Sequence, residues 1–169
     1  RHFETIWLKP EDPTVIQVID QRYLPFNFII EDLYTVEDVY FAIKEMHIRG
    51  APLIGVAAAF GIYLALLKYD GKESINKYIG EKAQFLKSSR PTAINIAYCV
   101  DKVANVISPD VSLSVNLQIV LQEVLSLMNR ERENCKKIGE HGVKLIEEIY
   151  QKKEFKTVNI LTHCNAGWL

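Results

Sequence analysis

The sequence has 169 residues, 49% of them apolar and 24% charged, with a formal net charge of −1. This is the composition of a globular chain holding one domain, or one domain and part of another, and it lacks the basic excess that nucleic-acid binding draws on. Three cysteines (Cys99, Cys135 and Cys164) are an odd number without a CxxC, which argues against a disulfide framework and against structural zinc, and for a reducing, cytoplasmic setting. The opening RHFETIWLKPEDP is too polar for a signal peptide.

Taken in chain order, FETIWL (Phe3–Leu8) and VIQVID (Val15–Asp20) read as two strands of a hairpin around the Pro- and Asp-rich turn KPEDPT. LPFNFIIEDL (Leu24–Leu33) reads as partly extended. Thr35, with Asp38 three residues on, forms a near capping box for a helix carrying Val39, Ile43 and Met46 and ending near His47. From Leu53 to Leu67 there is no charged residue, so a helix from Pro52 to about Tyr69 is expected to be buried on all sides. The run is short of a membrane span.

A further helix is expected over Lys72–Lys87, and another from PTAINIAYCVDKVANVI with Pro91 in its first turn. Ser112 to about Tyr150 reads as helical with a break near Met128–Glu133 or Gly139–Gly142, since such a length is unusual for one helix. QKKEFK (Gln151–Lys156) is the expected boundary. Beyond it, Thr157–Leu161 reads as a buried strand and Thr162–Gly167 as the loop after it. The expected fold class is α/β. Residues 1–154 form an N-terminal hairpin and helical domain, and 155–169 the first strand of a Rossmann-like domain cut off at the chain end.

Three segments can carry chemistry. In RGAP (Arg49–Pro52), Gly50 permits unusual dihedrals, Pro52 suits a first helical turn, and the N–H groups near Gly50 and Ala51 lie where a helix dipole favours an anion. Arg49 adds a fork suited to phosphate, although an ordinary loop with a solvated arginine has the same local sequence. SSRPTAIN (Ser88–Asn95) repeats the device with Arg90; alone it reads first as a capped helix with a surface arginine. In THCNAG (Thr162–Gly167), Cys164 stands where a strand gives way to a loop. There a cysteine serves as nucleophile, acid or base, or as small apolar filler, the reading that spacing favours. Cys99 and Cys135 fall in helical patterns and read as filler, and His163 as a packing or hydrogen-bonding residue.

In this order, RGAPLIG, SSRPTAIN and THCNAG resemble the signature of the methylthioribose-1-phosphate isomerases, and VIDQRYLP and TVEDVYFAIKEMHIRGAP are similar too. The resemblance covers essentially the whole chain. It implies a helical N-terminal domain followed by a Rossmann-like domain. The implied activity is interconversion of 5-methylthioribose 1-phosphate and 5-methylthioribulose 1-phosphate in methionine salvage. It further implies that Arg49, Gly50, Ala51 and Arg90 bind the substrate phosphate and that Cys164 is the active-site cysteine, with no metal or organic cofactor. The family's aspartate proton donor falls on later strands, so the implied partners are the C-terminal half of the same protein and, in a homodimer, a second copy. Trp168 stands where a smaller residue is common. The same superfamily includes ribose-1,5-bisphosphate isomerase and non-catalytic regulatory subunits of a translation initiation factor exchange complex, which are the two rival readings.

Overall fold

The computed structural model describes residues 4–154 and 156–163. Strands β1 (Ile6–Lys9), β2 (Asp12–Ile19) and β3 (Ile30–Leu33) form an antiparallel sheet in that order. The expected hairpin is β1 and β2, and the expected extended segment contributes β3. Alternation sets the register: Ile6 pairs with Val18 and Ile16 with Leu33, and all four are buried in the core. On the other face, Trp7 stands opposite Gln17, and Gln17 opposite Asp32. Trp7 Nε1 donates to Gln17 Oε1 at 2.8 Å, Gln17 Nε2 to Asp32 Oδ1 at 2.7 Å, and Lys9 Nζ to Asp32 Oδ2 at 2.6 Å. A slip by one residue would break this ladder and turn the apolar set outward.

Helix α1 (Val36–Lys44) opens with the capping box the sequence announces. Thr35 accepts from the Asp38 N–H, and the Asp38 carboxylate accepts from the Thr35 N–H. Helix α2 (Ala51–Leu67) is the centre of the molecule, with every residue from Leu53 to Leu66 buried. Helices α1, α3 (Ile75–Ser88), α4 (Ile94–Ala104) and α5 (Leu113–Lys152), with the sheet, surround it. Small residues on α2 admit these neighbours. A methyl added at Gly55 would stand 3.0 Å from the Asn95 carbonyl oxygen and 3.0 Å from Cys99 Sγ, both on α4; one at Gly61 would meet Leu86 of α3 at 2.9 Å. Among the described residues no helix is long and apolar enough to cross a membrane.

Three expectations are corrected. Helix α4 begins at Ile94, not at Pro91; Arg90 O accepts from Ala93 N at 2.9 Å, closing a turn that holds Pro91 outside the helix. A residue before proline disfavours helical dihedrals, which fits a turn rather than a helix start at Arg90. Helix α5 has no break and runs unbroken for 40 residues, about 60 Å. Its two glycines each cost about 1 kcal/mol of helix propensity, which weakens a helix without stopping it. Its inner half packs on the core through Val120, Val124, Leu127 and Met128, whereas Ile138, Leu145 and Ile149 farther along are exposed. Finally, residues 156–163 form no strand. A parallel strand satisfies its backbone only against a neighbour, and no described residue provides one.

Candidate functional site

Gly50 caps α2 with φ 99° and ψ 131°, a conformation that side chains other than hydrogen rarely adopt. Pro52 follows in the first turn, where a missing N–H costs nothing. No side chain caps this helix. Helix α4, with Ala93 at its cap, also lacks a side-chain cap. The other three helices are closed by hydroxyls: Thr35 on α1, Ser74 on α3 and Ser112 on α5. Among the described residues, the two helices introduced by Arg49 and Arg90 are therefore the two α-helices whose N-terminal N–H groups lack a side-chain acceptor.

These two helix starts are neighbours. Gly55 lies four residues into α2 and Asn95 one residue into α4, and the close approach between them brings the first turns together. The loops carrying Arg49 and Arg90 thus enter at the same region of the fold. The Arg49 Nε is buried and has no partner among the described residues. Arg90 is exposed and follows Ser89, which is buried with its hydroxyl donating to Leu86 O at 2.6 Å. Helix N-termini without side-chain caps and arginine guanidinium groups are the kinds of donor that suit a dianion such as phosphate.

Cys164 lies outside the described residues. His163, expected to pack or to hydrogen-bond, is exposed in a segment without regular structure, which removes the packing reading. Cys99 is buried on α4, as expected of filler, and burial pushes its thiol up to about 11, so it stays protonated and inert. Cys135 corrects the same reading: it is exposed on the outer half of α5 and fills nothing.

Sequence reasoning missed a polar cluster beside the Arg49 loop. Buried His47 places Nδ1 2.7 Å from Glu31 Oε2 on β3. Just after β2, the buried Asp20 carboxylate accepts from Arg22 Nη2 at 2.6 Å, Arg22 Nε at 3.0 Å and the Arg22 backbone N–H at 3.1 Å. Burial works to raise the Asp20 pKa, but the Arg22 hydrogen bonds outweigh it, and the carboxyl lies below its usual range. One donor atom each from Asp20, Glu31 and His47 falls within 4.8 Å of the others, a donor set a cation could use. Arg22 and His47 already engage both carboxylates, so the arrangement reads as one ion pair, Arg22 with Asp20, beside a hydrogen-bonded pair, His47 with Glu31. The cluster joins positions far apart in sequence, and the only local signal was a histidine two residues before Arg49.

The Initiation factor 2 subunit family matches residues 47–169 of this sequence. The chain is 44% identical over 164 residues to a methylthioribose-1-phosphate isomerase of Desulfosudis oleivorans, covering 97% of this chain and 44% of that protein. It is 37% identical to the enzyme of that name from Escherichia coli, covering all of this chain and 44% of the relative. The chain thus spans less than half the length of these curated relatives. Among solved structures, the fold is similar to 5-methylthioribose 1-phosphate isomerase from Pyrococcus horikoshii OT3, with a TM-score of 0.68 and 28% identity over 77% of this chain and 37% of that one. It is also similar to the delta subunit of translation initiation factor eIF-2B from A. fulgidus, with a TM-score of 0.75 and 28% identity over 85% of this chain and 42% of that one.

Proposed function

The chain belongs to the Initiation factor 2 subunit family, and from that premise we propose that it is the N-terminal part of an aldose–ketose isomerase converting 5-methylthioribose 1-phosphate to 5-methylthioribulose 1-phosphate in methionine salvage. The observation that carries the reading is the pair of neighbouring helix starts without side-chain caps, each introduced by an arginine. The names of the curated relatives support this reaction over others performed on the same fold.

In this reading Arg49, Arg90 and the N–H groups at Gly50 and Ala51 hold the substrate phosphate. Esterification at C1 prevents the sugar ring from opening to an aldehyde as a free sugar does. The protein must therefore promote opening by protonating the ring oxygen and must move a hydrogen between C2 and C1, by proton transfer or by hydride shift. Either route needs a tuned acid in a site that excludes water. Cys164 acts at that centre as base or as stabiliser of the transition state, a role supported by the resemblance of THCNAG to the family's motif. An aspartate supplied by the C-terminal half protonates the ring oxygen. Residues 1–154 form the helical domain and residue 155 onward begins a Rossmann-like one, in a cytoplasmic homodimer. No cofactor enters this scheme.

The likeness to the initiation factor subunit keeps a regulatory role in view, because fold similarity alone separates neither use. Turnover of 5-methylthioribose 1-phosphate and ribose 1,5-bisphosphate by the full-length protein, measured side by side, decides among the three. Preferred turnover of the methylthio substrate is expected. Turnover of the bisphosphate alone would move the protein to the neighbouring isomerase, and no turnover of either would favour the regulatory role.

A further inference from the structure

We propose that His47 is a positioning residue for the anion site: paired with Glu31 and locked along its backbone, it fixes the base from which Arg49 and Gly50 are presented to phosphate. The proposal rests on the phosphate-site reading above but not on the identity of the sugar.

Three elements converge on His47. Its backbone N–H donates to Ala42 O of α1 at 2.9 Å, and its carbonyl accepts from Gln21 N, in the segment after β2, at 2.7 Å. Its ring reaches Glu31 of β3 and stands edge-on to Phe41 of α1, with centroids 5.3 Å apart. Met46, at φ 56°, occupies the left-handed region, which side-chain-bearing residues seldom adopt, immediately before the chain carries His47 inward. Ile48, fully buried, then plugs the core. Main chain and ring are therefore both fixed one residue before the buried plug and two before Arg49.

A purely structural contact does not call for this chemistry. A buried ion pair or polar pair gains little over an apolar pair of the same size, because desolvation offsets the attraction. What it adds is direction. The hydrogen bond to Glu31 sets the ring plane, and His47 occupies a carboxylate that would otherwise be free to draw on nearby cations. The charged groups facing the ring region are Glu31 from β3 and Asp20 with Arg22 from the segment after β2. Asp20 and Arg22 satisfy each other, Glu31 is held by His47, and the Arg49 Nε is left without a partner among the described residues. The network absorbs the local acids and leaves Arg49 to an external acceptor.

The test is titration of the full-length protein with inorganic phosphate by calorimetry, alongside steady-state kinetics. His47→Phe and Glu31→Ala are each expected to weaken phosphate binding and raise KM about tenfold, since small misplacements of a binding group cost that much or more, with kcat nearly unchanged. Glu31→Gln retains an acceptor for the ring N–H and is expected to recover most of the affinity. Should His47→Phe fail to fold, Glu31→Ala at its part-exposed position carries the same test. Unchanged phosphate affinity in either variant while folded would overturn the proposal. A parent that binds phosphate but turns over no sugar would sink the activity reading and leave this one open to the same variants; a parent that binds no phosphate would overturn both.

Discussion

At the level of single residues, the sequence singles out Arg49, Gly50 and Arg90 as candidates because their signal is local: an arginine followed closely by a proline at or just before a helix start. Asp20, Glu31 and His47 were hidden because their partnership is tertiary, with His47 and Glu31 meeting across 16 positions. Asp20 makes the acid side of this network testable. Its folded pKa is depressed, so its contribution to stability is fully present above the unfolded value near 3.8 and is lost as pH falls through the lower folded value. Asp20→Asn should therefore lower the denaturation midpoint at neutral pH, and its difference from the parent should shrink as the pH falls below that range. A difference that stays constant between pH 7 and pH 2 would mean that the Arg22 pairing contributes nothing.

Elements were legible where a local signal is strong. The Thr35–Asp38 box and the uncharged α2 are two such cases, and both stand within a residue or two of expectation. Failures came where the signal is permissive. Proline is as much at home in a turn as in a first helical turn, so Pro91 gave no unique reading, and two glycines with nothing packed against them only weaken α5. Gly55 is different, because its missing methyl is what lets the two helix starts approach. Gly55→Ala should destabilise the fold by about 1–3 kcal/mol despite a gain in helix propensity, because the added carbon meets backbone on α4 rather than a movable side-chain end. Equal or higher stability by urea denaturation would show that α2 and α4 are not so closely set. For α5, amide exchange in this 169-residue chain should be slow over the residues packed on the core and much faster beyond Met128, where exposed apolar positions leave the helix to its own weak propensity. Uniform protection along the helix would contradict this.

At the scale of the molecule, a mixed chain of strands and helices, with a hairpin leading into a helical region, was readable from pattern alone, because one uncharged helix demands surrounding layers. The Rossmann-like strand was not recovered. VNIL has the composition of a buried strand, but a strand is made by its neighbours, and the described residues offer it none. The proposed phosphate site sits between these cases. Each arginine motif was ambiguous alone, and packing at Gly55 and Asn95 brings the helix starts they introduce together. The most direct test of that juxtaposition is the affinity of the full-length protein for inorganic phosphate after Arg49→Ala and, separately, Arg90→Ala. A shared site predicts that each substitution weakens binding at least about tenfold, as expected for loss of a charge-assisted hydrogen-bond pair to phosphate. Undiminished phosphate affinity in either variant would show that the two helix starts do not serve one anion.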